Sequence, residues 1–87
     1  MFYNSLSRRS AVKIKLLDTV VLQRNLPNDG LQIGDIGAVV ETYEPDGVEV
    51  EFITGAGKTR ALVTLKVEDV RPTSNNDILS VRSLEAA

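Results

Sequence analysis

Five carboxylates, those of Glu41, Glu44, Asp46, Glu49 and Glu51, crowd into one short stretch of an 87-residue chain. Carboxylates this close in sequence can divide into a general acid and a general base, or gather a divalent cation. Either use needs a concave, partly dry site that shifts a pKa or cages an ion. Glu49 and Glu51 instead alternate with Val48, Val50 and Phe52, the spacing of the outward face of a strand. Such a face is flat and wet. The run therefore reads first as a solvated surface, with Lys58 and Arg60 as expected cross-strand partners, and second as an acidic docking surface.

Gly55-Ala56-Gly57-Lys58-Thr59 looks like the end of a phosphate-binding loop. That loop needs glycine at the first of its eight positions, where this chain has Phe52. It should also open a helix whose N-terminal amides hold the anion, yet Arg60-Ala61-Leu62-Val63 continues as strand formers. The segment is read as a hairpin turn. Histidine and cysteine are both absent, which removes imidazole bases, thiol nucleophiles, disulfides and Cys/His metal centres. No catalytic residue, cofactor or metal ligand is assigned, and the chain reads as non-enzymatic.

The charge is unevenly placed. Residues 1–17 carry Arg8, Arg9, Lys13 and Lys15 and no acid, whereas residues 18–72 sum to −5 and residues 73–87 to −1. A basic arm thus precedes an acidic body. The arm could touch nucleic acid through Arg8, Arg9, Lys13 and Lys15, or it could be a flexible terminus that stays solvated or pairs with its own acidic domain. Four charges give only weak phosphate attraction at physiological salt. The four aromatic residues, two of them Phe2 and Tyr3, are too few for a stacking surface or a polyproline groove. No apolar run is long enough for a signal peptide or a membrane span, so a cytoplasmic protein is expected.

Short strands must position these residues. The runs 18–23, 36–43, 48–52, 59–65 and 70–72 are rich in β-branched residues or alternate in polarity, and glycines from Gly30 to Gly57 punctuate them. Pro45-Asp46-Gly47 is expected to close a tight hairpin, with the glycine accepting a positive φ. Lys66-Val67-Glu68-Asp69 suits a single helical turn before the last strand, where Pro72 marks an edge or strand end. Five strands in so short a chain imply an all-β, five-stranded SH3-like barrel over residues 14–72. Its expected core is Val20, Leu22, Ile36, Val40, Val48, Val50, Phe52, Leu62 and Leu65, with Val67 capping one end. Val39 and Val40 cannot both face inward in a regular strand, which leaves the face of Val39, Glu41 and Tyr43 open. Residues 1–13 form the arm. Residues 73–87 form a tail in which Ser74 and Asp77 resemble a capping box, and Ile78, Leu79, Val81 and Leu84 are compatible with a short helix.

The stretches Ile14-Lys15-Leu16-Leu17-Asp18-Thr19-Val20-Val21-Leu22, Leu26-Pro27 to Gly30-Leu31, and Gly34-Asp35-Ile36-Gly37-Ala38-Val39-Val40-Glu41-Thr42-Tyr43 carry a resemblance. With Val48 to Phe52, Ala61 to Leu65 and Asp69-Val70-Arg71-Pro72, they are similar to a family of small uncharacterised bacterial proteins common in cyanobacteria. The resemblance covers about residues 14–72 and implies a barrel akin to KOW-type and other SH3-like domains, with no established chemistry. It also implies a paired partner, such as an antitoxin-like or regulatory arrangement with another small protein.

The leading expectation is therefore a protein-interaction module, monomeric or an edge-paired dimer. Its contacts would come from Leu31 and Ile33 on the long 24–35 loop, and from Tyr43, Glu49 and Glu51 on the acidic hairpin. The alternative is nucleic-acid binding through the basic arm, by KOW analogy.

Overall fold

The computed structural model describes residues 13–84. Five strands follow in order: β1 (Thr19–Leu22), β2 (Ile36–Tyr43), β3 (Gly47–Ile53), β4 (Thr59–Lys66) and β5 (Val70–Pro72). All pair antiparallel in one sheet of order β4-β3-β2-β1-β5. β4 and β5 do not pair with each other, so the barrel stays open between them. A 3₁₀ turn, Val67–Asp69, leads directly from β4 into β5, as the Lys66-to-Asp69 stretch suggests.

A single apolar core lies on the inner face: Val20, Leu22, Leu26, Leu31, Val39, Val48, Val50, Phe52, Leu65 and Val70. Burying a valine or leucine of this kind contributes about 1.5–3 kcal/mol. Six of the nine expected core positions are in it, and the three that are not are displaced by the way the strands pair. Val20 faces inward and pairs with Gly37, so Gly37 takes the inward position and Ile36 lies half-buried beside it. The register breaks between Val39 and Glu41. This bulge settles the two-valine conflict: Val39 is buried, and the extra residue, Val40, is only half-buried. Leu62 pairs with Glu51 and points outward, 55% exposed, while Ala61, Val63 and Leu65 take the inner face. Val67, expected to cap one end, is 37% exposed and outside the core cluster, whereas Val70, three residues on, is buried in it.

The β2–β3 turn also differs from expectation. The Glu44–Pro45 peptide is cis, and Gly47 does not have a positive φ. It is already the first residue of β3, paired with Tyr43.

The long connection between β1 and β2 is a folded loop. Leu26 and Leu31 exchange backbone hydrogen bonds of 2.9 and 3.1 Å across a 3₁₀ turn, Pro27–Asp29, closed by Gly30 in the left-handed region. Proline at the start and glycine just past the end is the order such a turn favours. It tucks both leucines under the barrel. Leu31 is only 5% exposed. It belongs to the core cluster, so little of the side chain expected as a docking contact is accessible.

Among the described tail residues there is no helix. Asp77 is drawn back instead: its carboxylate accepts two bonds of 2.9 Å from the Arg71 guanidinium and one of 2.6 Å from the Ser74 N–H. The Ser74–Asp77 pairing thus closes a single turn tethered to β5. Ile78, Leu79, Val81 and Leu84 are all exposed, so no packed apolar face supports a helix there.

Candidate docking surface

The pairing of β3 with β2 and β4 decides which side chains share the outer face. Val48, Val50 and Phe52 point inward, so Glu49 and Glu51 point out. The register places Glu41 opposite Glu49, Thr64 opposite Glu49 on the other side, and Leu62 opposite Glu51. Like charges directly opposite one another repel. Tyr43 reduces the strain by donating its hydroxyl to Glu49 Oε1 at 2.6 Å. That hydrogen bond, with partial desolvation and the charges of Glu49 and Glu41, raises the Tyr43 phenol above its ordinary pKa. Glu51 accepts a hydrogen bond from the Thr59 hydroxyl.

Lys58 and Arg60 are not the cross-strand partners of these acids. The register shifts between Phe52 and Ile53, which leaves Arg60 as an extra residue between Thr59 and Ala61. Its guanidinium crosses over Gly30, where a β-carbon would overlap it. Among the described residues, the ion pairs join Arg24 to Asp69, Arg71 to Asp77 and Arg82 to Asp35; none involves Glu41, Glu49 or Glu51. Tyr43, Glu49 and Glu51 therefore sit together, as the sequence implies, joined by Glu41 and by Leu62, which the sequence places in the core.

The remaining expected residues are elsewhere. Ile33 is exposed on the loop, its N–H bonded to the Asn25 side chain at 2.9 Å. Lys13 and Lys15 are exposed at the start of the described chain. Arg8 and Arg9 lie outside the described residues. No group of three or more acidic side chains among the described residues has metal-site geometry, and no helix among them is long and apolar enough to cross a membrane.

The two edges of the sheet are unlike. On β5 the bonds from Gln23 N–H to Asp69 and from Thr73 N–H to Thr19 turn the polar backbone groups of Val70 and Pro72 toward the open side. Each of those groups is accounted for. Val70 N–H bonds to Val67, its carbonyl accepts from the Gln23 side chain at 3.2 Å, Pro72 has no N–H, and its carbonyl accepts from Arg71 at 3.2 Å. On β4 the bond from Val67 N–H to Asp46, 2.8 Å, sets the alternation. It turns the N–H and C=O of Leu62 and Thr64 away from β3, and among the described residues nothing bonds to them there. The central run Ala61-Leu62-Val63-Thr64-Leu65 has no charge and no proline, the devices that normally blunt an edge.

Residues 16–72 match the family model described as Domain of unknown function (DUF4926). The chain belongs to this family. The match spans β1 to β5, so the open β4 edge and the acidic face lie within the DUF4926 domain, while the residues beyond Pro72 lie outside it. Comparison with curated proteins and with solved structures found no match.

Proposed function

We propose that this DUF4926 domain is a non-enzymatic, cytoplasmic protein-interaction module that pairs the open edge of β4 with an extended basic segment of a partner protein. The observation that carries this reading is the contrast between the edges: among the described residues, every outward backbone group of β5 has a partner, while those of Leu62 and Thr64 on β4 have none. Addition of a strand to such an edge supplies affinity through main-chain bonds and specificity through alternate side chains.

The neighbouring face sets the chemistry of the guest. Glu41, Glu49 and Glu51 lie on it with no ion-pair partner among the described residues, and Leu62, Thr64 and Lys66 of β4 carry the same face to the edge. Lysine or arginine side chains on a guest strand would reach these carboxylates across Thr64. A second copy is a poorer guest. For β4 to pair with itself antiparallel, inward residues must meet inward ones. The register centred on Val63 then sets Arg60 opposite Lys66, and that centred on Leu62 sets Lys58 opposite Lys66. Both oppose like charges. A small protein offering a basic strand, as in an antitoxin-like or regulatory pair, is the proposed partner.

The test is capture from source cells by the tagged full chain, with and without nuclease, alongside two variants. Thr64→Pro removes an outward N–H, and the double variant Glu49→Lys with Glu51→Lys reverses the face. A stoichiometric protein that survives nuclease and is lost with both variants supports the proposal. A partner retained by both variants overturns it. Recovery that vanishes with nuclease also overturns it and favours the rival, nucleic-acid binding through Arg8, Arg9, Lys13 and Lys15, whose signature is a salt-dependent shift of labelled RNA.

A further inference from the structure

The β1–β2 loop and the tail meet at a site shaped for a guanidinium. Asp35 is fixed by its own loop: Oδ2 accepts the Gln32 N–H at 2.9 Å, and the Asp35 N–H bonds back to the Gln32 carbonyl at 3.0 Å. Arg82 lies flat against this carboxylate. Its Nε donates to Oδ1 at 2.8 Å and its Nη2 to Oδ2 at 2.7 Å, while Nη2 also donates to the Gly30 carbonyl at 3.0 Å. A planar fork makes these bonds together, and an ammonium cannot reproduce them. Burial pushes the Asp35 carboxyl up, but the hydrogen bonds from Arg82 and Gln32 and the guanidinium charge outweigh it and hold the pKa below its ordinary value.

Beside this pair runs an open groove of about 700 Å³. Its barrel wall includes Leu31, Ile36, Phe52 and Ile53, and residues 80–84 form part of the other side. Of the apolar tail residues that line it, Leu84 is 40% exposed, and Val81, next to Arg82, is 96% exposed and leaves its side of the groove unfilled. The Arg82 fork thus anchors this part of the tail, and on the barrel wall Ile53, 58% exposed, and the half-buried Ile36 keep apolar surface that an occupant could bury.

We propose that this groove binds an extended segment of a partner protein carrying an arginine next to a bulky apolar residue, and that Arg82 is an intramolecular placeholder for that arginine. Asp35 and the Gly30 carbonyl receive the guanidinium, and the Ile36 and Ile53 side of the wall receives the apolar neighbour, the contact that Val81 leaves unmade. The tail competes in cis, so the free protein binds its guest below the groove's intrinsic affinity. This site is independent of the β4 edge.

The probe is a fluorescein-labelled Ser-Phe-Arg-Ser-Leu peptide, titrated by anisotropy against the full chain and its Arg82→Ala variant. Residue 82 lies outside the family match, on an exposed segment, so the variant retains the barrel. Removing an exposed ion pair of this kind is expected to tighten binding roughly fivefold. Replacing arginine by lysine in the peptide, which leaves the protein untouched, is expected to weaken binding roughly tenfold. Amide shifts should centre on Ile36 and Ile53, and Thr64→Pro should leave them unchanged. Equal affinity of wild type and Arg82→Ala overturns the proposal, as does equal binding of the lysine peptide.

Discussion

Gly37→Ala adds a single methyl group where core side chains and backbone of β3 already press against β2. Gly37 faces inward from β2, and a β-carbon there would lie 2.6 Å from Val50 Cγ1, 2.9 Å from the Glu51 carbonyl oxygen and 2.9 Å from Phe52 Cε1. Carbon atoms in good contact sit about 3.5–4.0 Å apart, so all three neighbours would have to retreat together. Val50 is fully buried, and the Glu51 carbonyl belongs to the β3 backbone, so neither has a free direction to move. Overpacking of this kind costs about 1–3 kcal/mol, and three simultaneous clashes place it in the upper half. The loss of backbone freedom in the unfolded chain returns about 0.4–1 kcal/mol. The net cost is about 2 kcal/mol, which for a domain of this size lowers Tm by roughly 10–15 °C. Thermal melting followed by circular dichroism measures it, with Gly55→Ala as control, since a β-carbon at Gly55 meets nothing within 4 Å. If Gly37→Ala melts within about 3 °C of wild type, or if Gly55→Ala falls as far, the inward placement of Gly37 is refuted.

Leu17 is exposed and holds φ at 72°, a conformation that costs a β-carbon-bearing residue about 1–2 kcal/mol; Leu17→Gly is expected to raise stability by about 0.5–1 kcal/mol in urea titrations. Leu31→Asp buries a carboxylate without a partner and should cost about 3 kcal/mol or more, collapsing the amide NMR dispersion, whereas Tyr43→Asp on the exposed hairpin should leave it intact. Hydrogen bonds from Arg71 and from the Ser74 N–H hold Asp77 at a pKa of about 2, below its ordinary 3.8. The folded state thus binds that proton more weakly than the unfolded chain, so the contribution is complete above pH 4 and is lost as pH falls from about 4 to about 2. Asp77→Asn should therefore narrow the gap to wild type across that window in acid denaturation curves, and added salt should narrow it further.

Where the sequence alternates strictly, the structure follows it. Val48, Val50 and Phe52 face inward with Glu49 and Glu51 outward, β2 spans Ile36–Tyr43 as its composition suggests, and a 3₁₀ turn precedes β5. Where two apolar residues are adjacent, alternation alone has no answer. Val39 and Val40 are resolved by a bulge, and Leu62 and Val63 by the register against β3, both of which depend on long-range pairing. Gly37 was invisible as a core position because it contributes no side chain; its inward face follows from Val20 across the ladder. A local signal for the burial of Leu31 was present in Leu26-Pro27-Asn28-Asp29-Gly30-Leu31, where proline and glycine bracket a turn. Length alone made that stretch read as an open loop. The guanidinium site was out of reach of pattern reading, because Asp35 and Arg82 are 47 residues apart and the tail resembles a helix locally.

The inequality of the two sheet edges also limits how many molecules can associate. A chain of domains joined head to tail needs two complementary edges on every member, one to give and one to receive. Here the β5 side is closed by Gln23, Pro72 and Arg71, so copies of this domain cannot join β4 to β5 in series. Copies that pair along β4 stop at a two-fold pair, and a different guest occupies one edge per domain. Raising the concentration of this protein therefore saturates a complex of fixed composition and does not nucleate a filament.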